Sequence, residues 1–375
     1  MENKFVIEQK SILSVLSSMQ PICTKRTTLD TTNYILFHVG HRELVLKSTD
    51  LEISLQANCT LKESDVTETR SFLVSGRRLF DLVKELADDI TVTIDDTSLG
   101  LTSGTAQLTL NIKDAQEFPP FPERIENLMH LDAKFVLELL NKVAFLIPQN
   151  NANPALNGLF LELSSAGLKM TTTDGHCLAQ IATNKYKLDG EKKWLLPRRA
   201  IFEIKKILES SDDATLFLGT CGNQLVFSGT SFNFFTKLLV DPFPNYSTIL
   251  DRNGFIPARL DRTNFVKTLR RSSVLLSGQF IATKFAFEKE RLSVSLHNKE
   301  VGKLDEALAL EDFDSDKMEI RFYSPYLLSG LQAFQDEKST FYLKNPARPI
   351  IFESNEKEKG YMLTYLVMPV SPSTQ

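Results

Sequence analysis

Long apolar runs are missing from this chain: no stretch approaches the run of about eighteen apolar residues that a membrane-spanning helix needs. The opening M-E-N-K-F-V-I-E lacks the layout of a secretory leader, so the expected compartment is the cytoplasm and no membrane partner is expected. Cysteine is scarce. The four present, Cys23, Cys59, Cys177 and Cys221, lie far apart and form no C-x-x-C, and only five histidines accompany them. Reduced buried thiols are expected, with no metal and no cofactor. Of the histidines, His38 and His41 sit at a hairpin with no third ligand nearby and read as surface residues. Catalytic signatures are absent as well: G-x-S-x-G, Walker A, H-E-x-x-H and G-x-G-x-x-G do not occur. Asp174 and His176, across Gly175, suggest a hydrolase, but a triad also needs a nucleophile and an oxyanion hole. Asp174 reads better as the cap of its own turn. The chain is therefore expected not to be an enzyme. It also has no positive excess: 43 Lys and Arg against 47 Asp and Glu give a net charge of −4. Proteins that coat nucleic acid indiscriminately are usually basic overall.

What is present is a repeat. The 375 residues have room for two or three domains. S-I-L-S-V-L-S-S-M (11–19) matches K-F-V-L-E-L-L-N-K-V (134–143) and N-F-V-K-T-L-R-R (264–271), each apolar at helical spacing. A second helical set lies at 76–86, 197–208 and 324–334. Aligning Ile12, Phe135 and Phe265 gives steps of 123 and 130 residues; aligning Arg77, Arg198 and Pro325 gives 121 and 127. Between the helices, alternating segments broken by short turns, such as 34–39 with 43–47 and 159–163 with 168–172, predict antiparallel hairpins. The expected fold is α+β: three similar domains, 1–127, 128–254 and 255–375, each with two helices packed on two small antiparallel sheets. The proline-rich runs E-F-P-P-F-P (117–122) and D-P-F-P-N-Y (241–246) fall near the joints and are expected to prevent strand pairing across them.

Positive charge collects on the helices. The stretch 196–208 carries Arg198, Arg199, Lys205 and Lys206 against Glu203, and 261–272 carries Arg262, Lys267, Arg270 and Arg271 against Asp261. Any one such helix is adequately explained as a solvated face. With 76–86, which carries Arg77, Arg78 and Lys84 against Asp81 and Glu85, three related helices share one sign of bias. They point instead to phosphates met without base reading, because aromatic residues are not interleaved with the cations.

The stretch 168–179, L-K-M-T-T-T-D-G-H-C-L-A, reads as a strand leaving through an Asp-Gly turn. Its T-D-G-H-C-L-A resembles the T-D-G-H-R-L-A segment of the bacterial sliding clamps, the beta subunits of DNA polymerase III. The similarity runs from Lys4 and Phe5 to Met368 and Pro369. The resemblance implies the DNA-clamp fold: a head-to-tail homodimer closed as a ring, with helices inside around duplex DNA and sheets outside. It places Arg26, Arg77, Arg198 and Arg199 at DNA-facing positions. Lys205, Lys206, Lys267 and Arg270 join them from the charged helices.

The resemblance further implies a cleft between the second and third domains. There the polymerase III catalytic subunit, the clamp loader and other replication or repair polymerases dock short peptides. Matched residue by residue, the cleft holds Leu156, Thr173, Gly175, His176, Cys177, Leu178, Pro244, Thr248, Ile249, Tyr323, Tyr326, Leu366, Val367, Met368 and Pro369. Taken singly, Leu156 or the ending L-V-M-P reads as ordinary core. The family's subunit interface maps to Leu108, Leu110, Val274 and Leu275. Cys177 and Thr248 stand where arginine is common in the family, Tyr323 replaces a polar residue, and the chain runs on as S-P-S-T-Q. The implied function is a processivity factor that slides on DNA and tethers the polymerase. The alternatives are a clamp-like secondary scaffold with altered partners, and a hydrolase using Asp174 and His176.

Overall fold

A computed structural model describes residues 3–276, 282–354 and 359–370; the S-P-S-T-Q tail lies outside the described residues. Six helices occur among them: α1 (Gln9–Cys23), α2 (Gly76–Glu85), α3 (Ala133–Val143), α4 (Arg198–Ser210), α5 (Arg262–Val274) and α6 (Ser324–Leu331). These are the positions that the apolar spacing predicts. The repeat extends to the caps. Asp132 accepts a bond from the Phe135 amide at 2.9 Å, and Asp261 one from the Asn264 amide at 2.7 Å, each serving the third residue of its helix. The corresponding residue before α1 is Glu8, which accepts the Ser11 hydroxyl at 2.8 Å instead.

Small residues set the helix contacts. A Cβ on Gly76, the first residue of α2, would lie 2.4 Å from the Cys23 sulfur at the end of α1, so only glycine allows this approach. Between α5 and α6, the fully buried hydroxyls of Ser272, Thr283 and Ser324 lie 2.5 to 2.7 Å apart, so each finds a partner without water. Gly330 in α6 lies against the Tyr365 ring, where a Cβ would fall 1.9 Å from a ring carbon.

The chain packs as two compact units, Met1–Leu137 with Arg199–Leu238, and Glu138–Arg198 with Leu239–Gln375. All strand pairing described in them is antiparallel. The first unit holds a 13-stranded sheet, in which the strand Ile53–Thr60 pairs with Phe232–Lys237, Leu55 opposite Phe234. The second holds an eight-stranded sheet and a separate four-stranded one. In the larger of these, Cys177–Thr183 pairs with Met362–Val367, Leu178 opposite Leu366. The expectation of separate small sheets in each domain, kept apart by proline, is therefore corrected. Pro119, Pro120, Pro122, Pro242 and Pro244 stand outside the strands and remove no ladder donor. The strands of adjacent repeats then pair and leave fewer open edges.

Alternation gives the eight-stranded sheet two different faces. One carries the row Leu161, Met170, Ile181 and Leu363, all buried core. The other carries Phe160, Thr171, Gln180 and Thr364, and beside them the row Leu178, Leu366, Ile351 and Tyr342.

Candidate docking cleft

The turn after the strand Gly167–Thr173 is built by its own side chains. Asp174 Oδ1 accepts the amides of His176 (2.8 Å) and Cys177 (2.7 Å), while the Thr173 hydroxyl donates to the Cys177 carbonyl (2.5 Å). Gly175 takes a φ of +94°, and the site of its missing Cβ lies 3.8 Å from Leu156. The Asp174 carboxylate is thus spent on the backbone. The ring of His176 stacks on Tyr326, centroids 5.6 Å apart and planes 18° from parallel. Tyr323 meets the same Tyr326 ring edge-on at 5.0 Å. The two residues of the hydrolase alternative do not form a catalytic pair.

The C-terminal strand closes the floor. The amide of Met368 donates to the His176 carbonyl at 2.9 Å, which fixes the exit of the chain beside the turn. The Tyr365 hydroxyl donates to the Tyr326 carbonyl at 2.9 Å, so the ring seated on Gly330 also anchors the aromatic wall. Leu178 and Leu366 form one apolar cluster with Ile351, and Tyr246, at the end of the second proline run, packs on it with Ile249 and Leu250 from the segment that follows. Gly175, His176, Pro244, Thr248 and Met368 are exposed; Thr173, Ile249, Tyr323, Tyr326 and Pro369 are half-buried, and Leu156 is buried beneath them.

Two expected wall residues need correction. Cys177 and Val367 lie opposite each other on the core face of the sheet, one register position from Leu178 and Leu366. A shift of one residue along a strand reverses the side-chain direction, so both point into the core. Burial pushes the Cys177 thiol well up from its ordinary range, and the nearby Asp174 charge adds to this. It is an inert core thiol rather than a contact group.

The eight expected DNA-facing cations divide. Arg26, Arg77, Lys267 and Arg270 are exposed, and Arg77 makes a loose 3.8 Å pair with Asp81 along its helix. Arg198 donates to the Ile147 carbonyl. Arg199 is held by Asp50 and by the Pro21 carbonyl at 2.9 Å; the Asp50 side chain is fully buried and also has Lys25 at 3.8 Å. Lys206 pairs with Glu203 at 3.3 Å. Half-buried Lys205 lies 5.4 Å from the Phe202 ring centre, and burial lowers the pKa of its ammonium. Sequence reasoning missed the Asp50 node because its partner stands 149 residues away. The only local signal was the turn T-D-L-E (49–52), where Asp50 Oδ1 accepts the Glu52 and Ile53 amides.

Leu108 and Leu110 sit half-buried on the strand Ala106–Asp114. That strand pairs along residues 106–111 with Ser98–Ser103, and with Arg70–Ser75 only at 112–114. At the end of α5, Val274 is 78% exposed and Leu275 is half-buried. In the four-stranded sheet, Gly302–Ala309 is an edge strand.

Comparison with known proteins agrees with this architecture. Models of the N-terminal, central and C-terminal domains of the DNA polymerase III beta subunit match residues 3–122, 130–245 and 248–371 in that order. The beta sliding clamp of Pseudomonas aeruginosa is 26% identical over 372 residues, covering 98% of this chain and 99% of the relative. The crystal structure of the Pseudomonas aeruginosa clamp bound to griselimycin has a TM-score of 0.88 at 23% identity, covering 99% of this chain and 100% of that one. The Thermotoga maritima beta subunit gives a TM-score of 0.88 at 19% identity over 99% of this chain and 100% of that one. With three domain models in series over nearly its whole length, the chain belongs to the DNA polymerase III beta subunit family.

Proposed function

We propose that this protein encircles duplex DNA as a head-to-tail homodimer and tethers the replicative polymerase through a peptide seated in the cleft described above. The family is one of processivity factors rather than catalysts. The observation that carries the tethering role is the cleft itself. Its proposed floor is the Leu178–Leu366 cluster, its proposed wall the His176–Tyr326–Tyr323 stack, and its proposed rim the exposed, adaptable Met368. An apolar slot with few polar groups suits short peptides from several partners, such as the catalytic subunit, the clamp loader and other polymerases. Exposed Arg26, Arg77, Lys267 and Arg270 supply sequence-blind phosphate contacts. A closed ring does not need tight binding, which fits the net charge of −4. Leu108, Leu110, Val274 and Leu275 are the proposed subunit contacts, and 1–127, 128–254 and 255–375 the proposed domains. No helix among the described residues is long and apolar enough to cross a membrane; the cytoplasm is the proposed site of action.

After loading onto nicked circular plasmid, the protein is expected to survive a salt challenge that strips ordinary phosphate contacts, and to run off the same plasmid once it is linearised. Equal loss from both forms would refute encirclement. A second reading, a secondary clamp with altered partners, draws on the inward Cys177 and the Tyr323–Tyr326 contact, which give this cleft an aromatic wall in place of charge. Binding profiles against peptides of the host polymerase distinguish the two.

A further inference from the structure

The sheet face that floors the cleft continues beyond it. Past the segment that carries Pro244 and Tyr246 lies an open chamber of about 540 Å³, still within the same compact unit. Phe160 and Phe243 stack across it, centroids 4.8 Å apart and planes 7° from parallel. One cross-strand row lines it in register, Lys193 opposite Glu162 and Glu162 opposite Lys169. The Tyr246 hydroxyl donates to the Glu162 carboxylate, the one acid in that row. Both ammonium groups lie at exposed positions, Lys193 in an ion pair with Glu191 at 2.8 Å. Pro244 belongs to the chamber lining and to the cleft rim, and Tyr246 packs on the Leu178–Leu366 cluster while its hydroxyl lies in the chamber. The two sites share a wall.

We infer that this chamber is a second subsite for the docked peptide, taking an acidic flank of the segment that fills the apolar cleft. The inference rests on the docking reading above. An extended peptide leaving the slot beside Pro244 passes over the aromatic pair and brings a carboxylate to Lys169 and Lys193. The apolar cleft then supplies most of the affinity, and the chamber ranks partners by the charge of their flanks.

The test uses the full chain and fluorescently labelled peptides: one apolar peptide that fills the cleft, and the same peptide extended at either end by Asp- and Glu-containing, Ser-Gly or Lys-containing flanks. The acidic flank on one end should tighten binding about three- to tenfold, the size expected of one or two exposed charge pairs. The gain should vanish in high salt and in the doubly substituted K169E/K193E protein, which should prefer the lysine flank and bind the unextended peptide as before. Equal affinity for all flanks, or a gain that survives K169E/K193E, would overturn the inference while leaving the cleft in place. Failure of the unextended peptide to bind would overturn both.

Discussion

Asp174 shows how much a single side chain can organise: one oxygen accepts two amides, and the turn that presents His176 depends on it. Asp174→Ala should loosen the turn by about 1–2 kcal/mol and weaken peptide binding, whereas Asp174→Asn, which keeps the acceptor oxygen, should come close to the parent. Peptide titrations of the two variants check this. Its capping role was legible because Asx turns are local. Arg199 was not, because its partner is distant in sequence. Arg199→Ala would leave the buried Asp50 with the Glu52 and Ile53 amides and Lys25 at 3.8 Å as its one remaining cation, an expected loss of about 3 kcal/mol visible in thermal unfolding. The thiols give a third prediction. Burial raises Cys23 and Cys59 to about 12 and raises Cys177 as well, while Cys221 is half-exposed. At pH 8 a thiol reagent should therefore label Cys221 quickly and the other three only after unfolding. Because these pKa values are raised on folding, the unfolded chain loses protons first as pH climbs past about 9. Stability should then fall with pH from there toward 12.

At the scale of elements, the helices and hairpins were readable because their periods of 3.6 and 2 are local properties of the chain. Which face a strand residue takes was less so. The segment T-D-G-H-C-L-A puts Leu178 and Cys177 on opposite faces of the sheet, and only the pairing with Leu366 and Val367 fixes that parity. Joining of sheets across repeats was also hidden, since an unpaired edge leaves no mark in the sequence of its future partner. α6 links packing to the site: Gly330 admits the Tyr365 ring, and Tyr365 holds the Tyr326 carbonyl. Gly330→Ala drives a methyl into that ring, so peptide affinity should drop together with a thermal shift corresponding to about 1–3 kcal/mol. An unchanged affinity would separate α6 from the cleft.

For the whole molecule, the decisive property is closure. Leu108→Asp or Leu275→Asp should convert the dimer to monomer in sedimentation velocity, with the peptide cleft still functional. A dimer that persists in both would move the interface elsewhere. The repeat period made the threefold plan visible, and the family resemblance supplied the ring, which no residue spacing shows by itself. The pairing of Cys177–Thr183 with Met362–Val367 has a consequence for synthesis. Of the strands in that sheet, the one that completes the cleft floor leaves the ribosome last. Until it arrives, the Cys177–Thr183 edge is open, and the eventual contact spans most of two repeats, a slow, long-range step. On the docking reading proposed above, a nascent chain lacks part of its partner-binding surface until its own third repeat is in place.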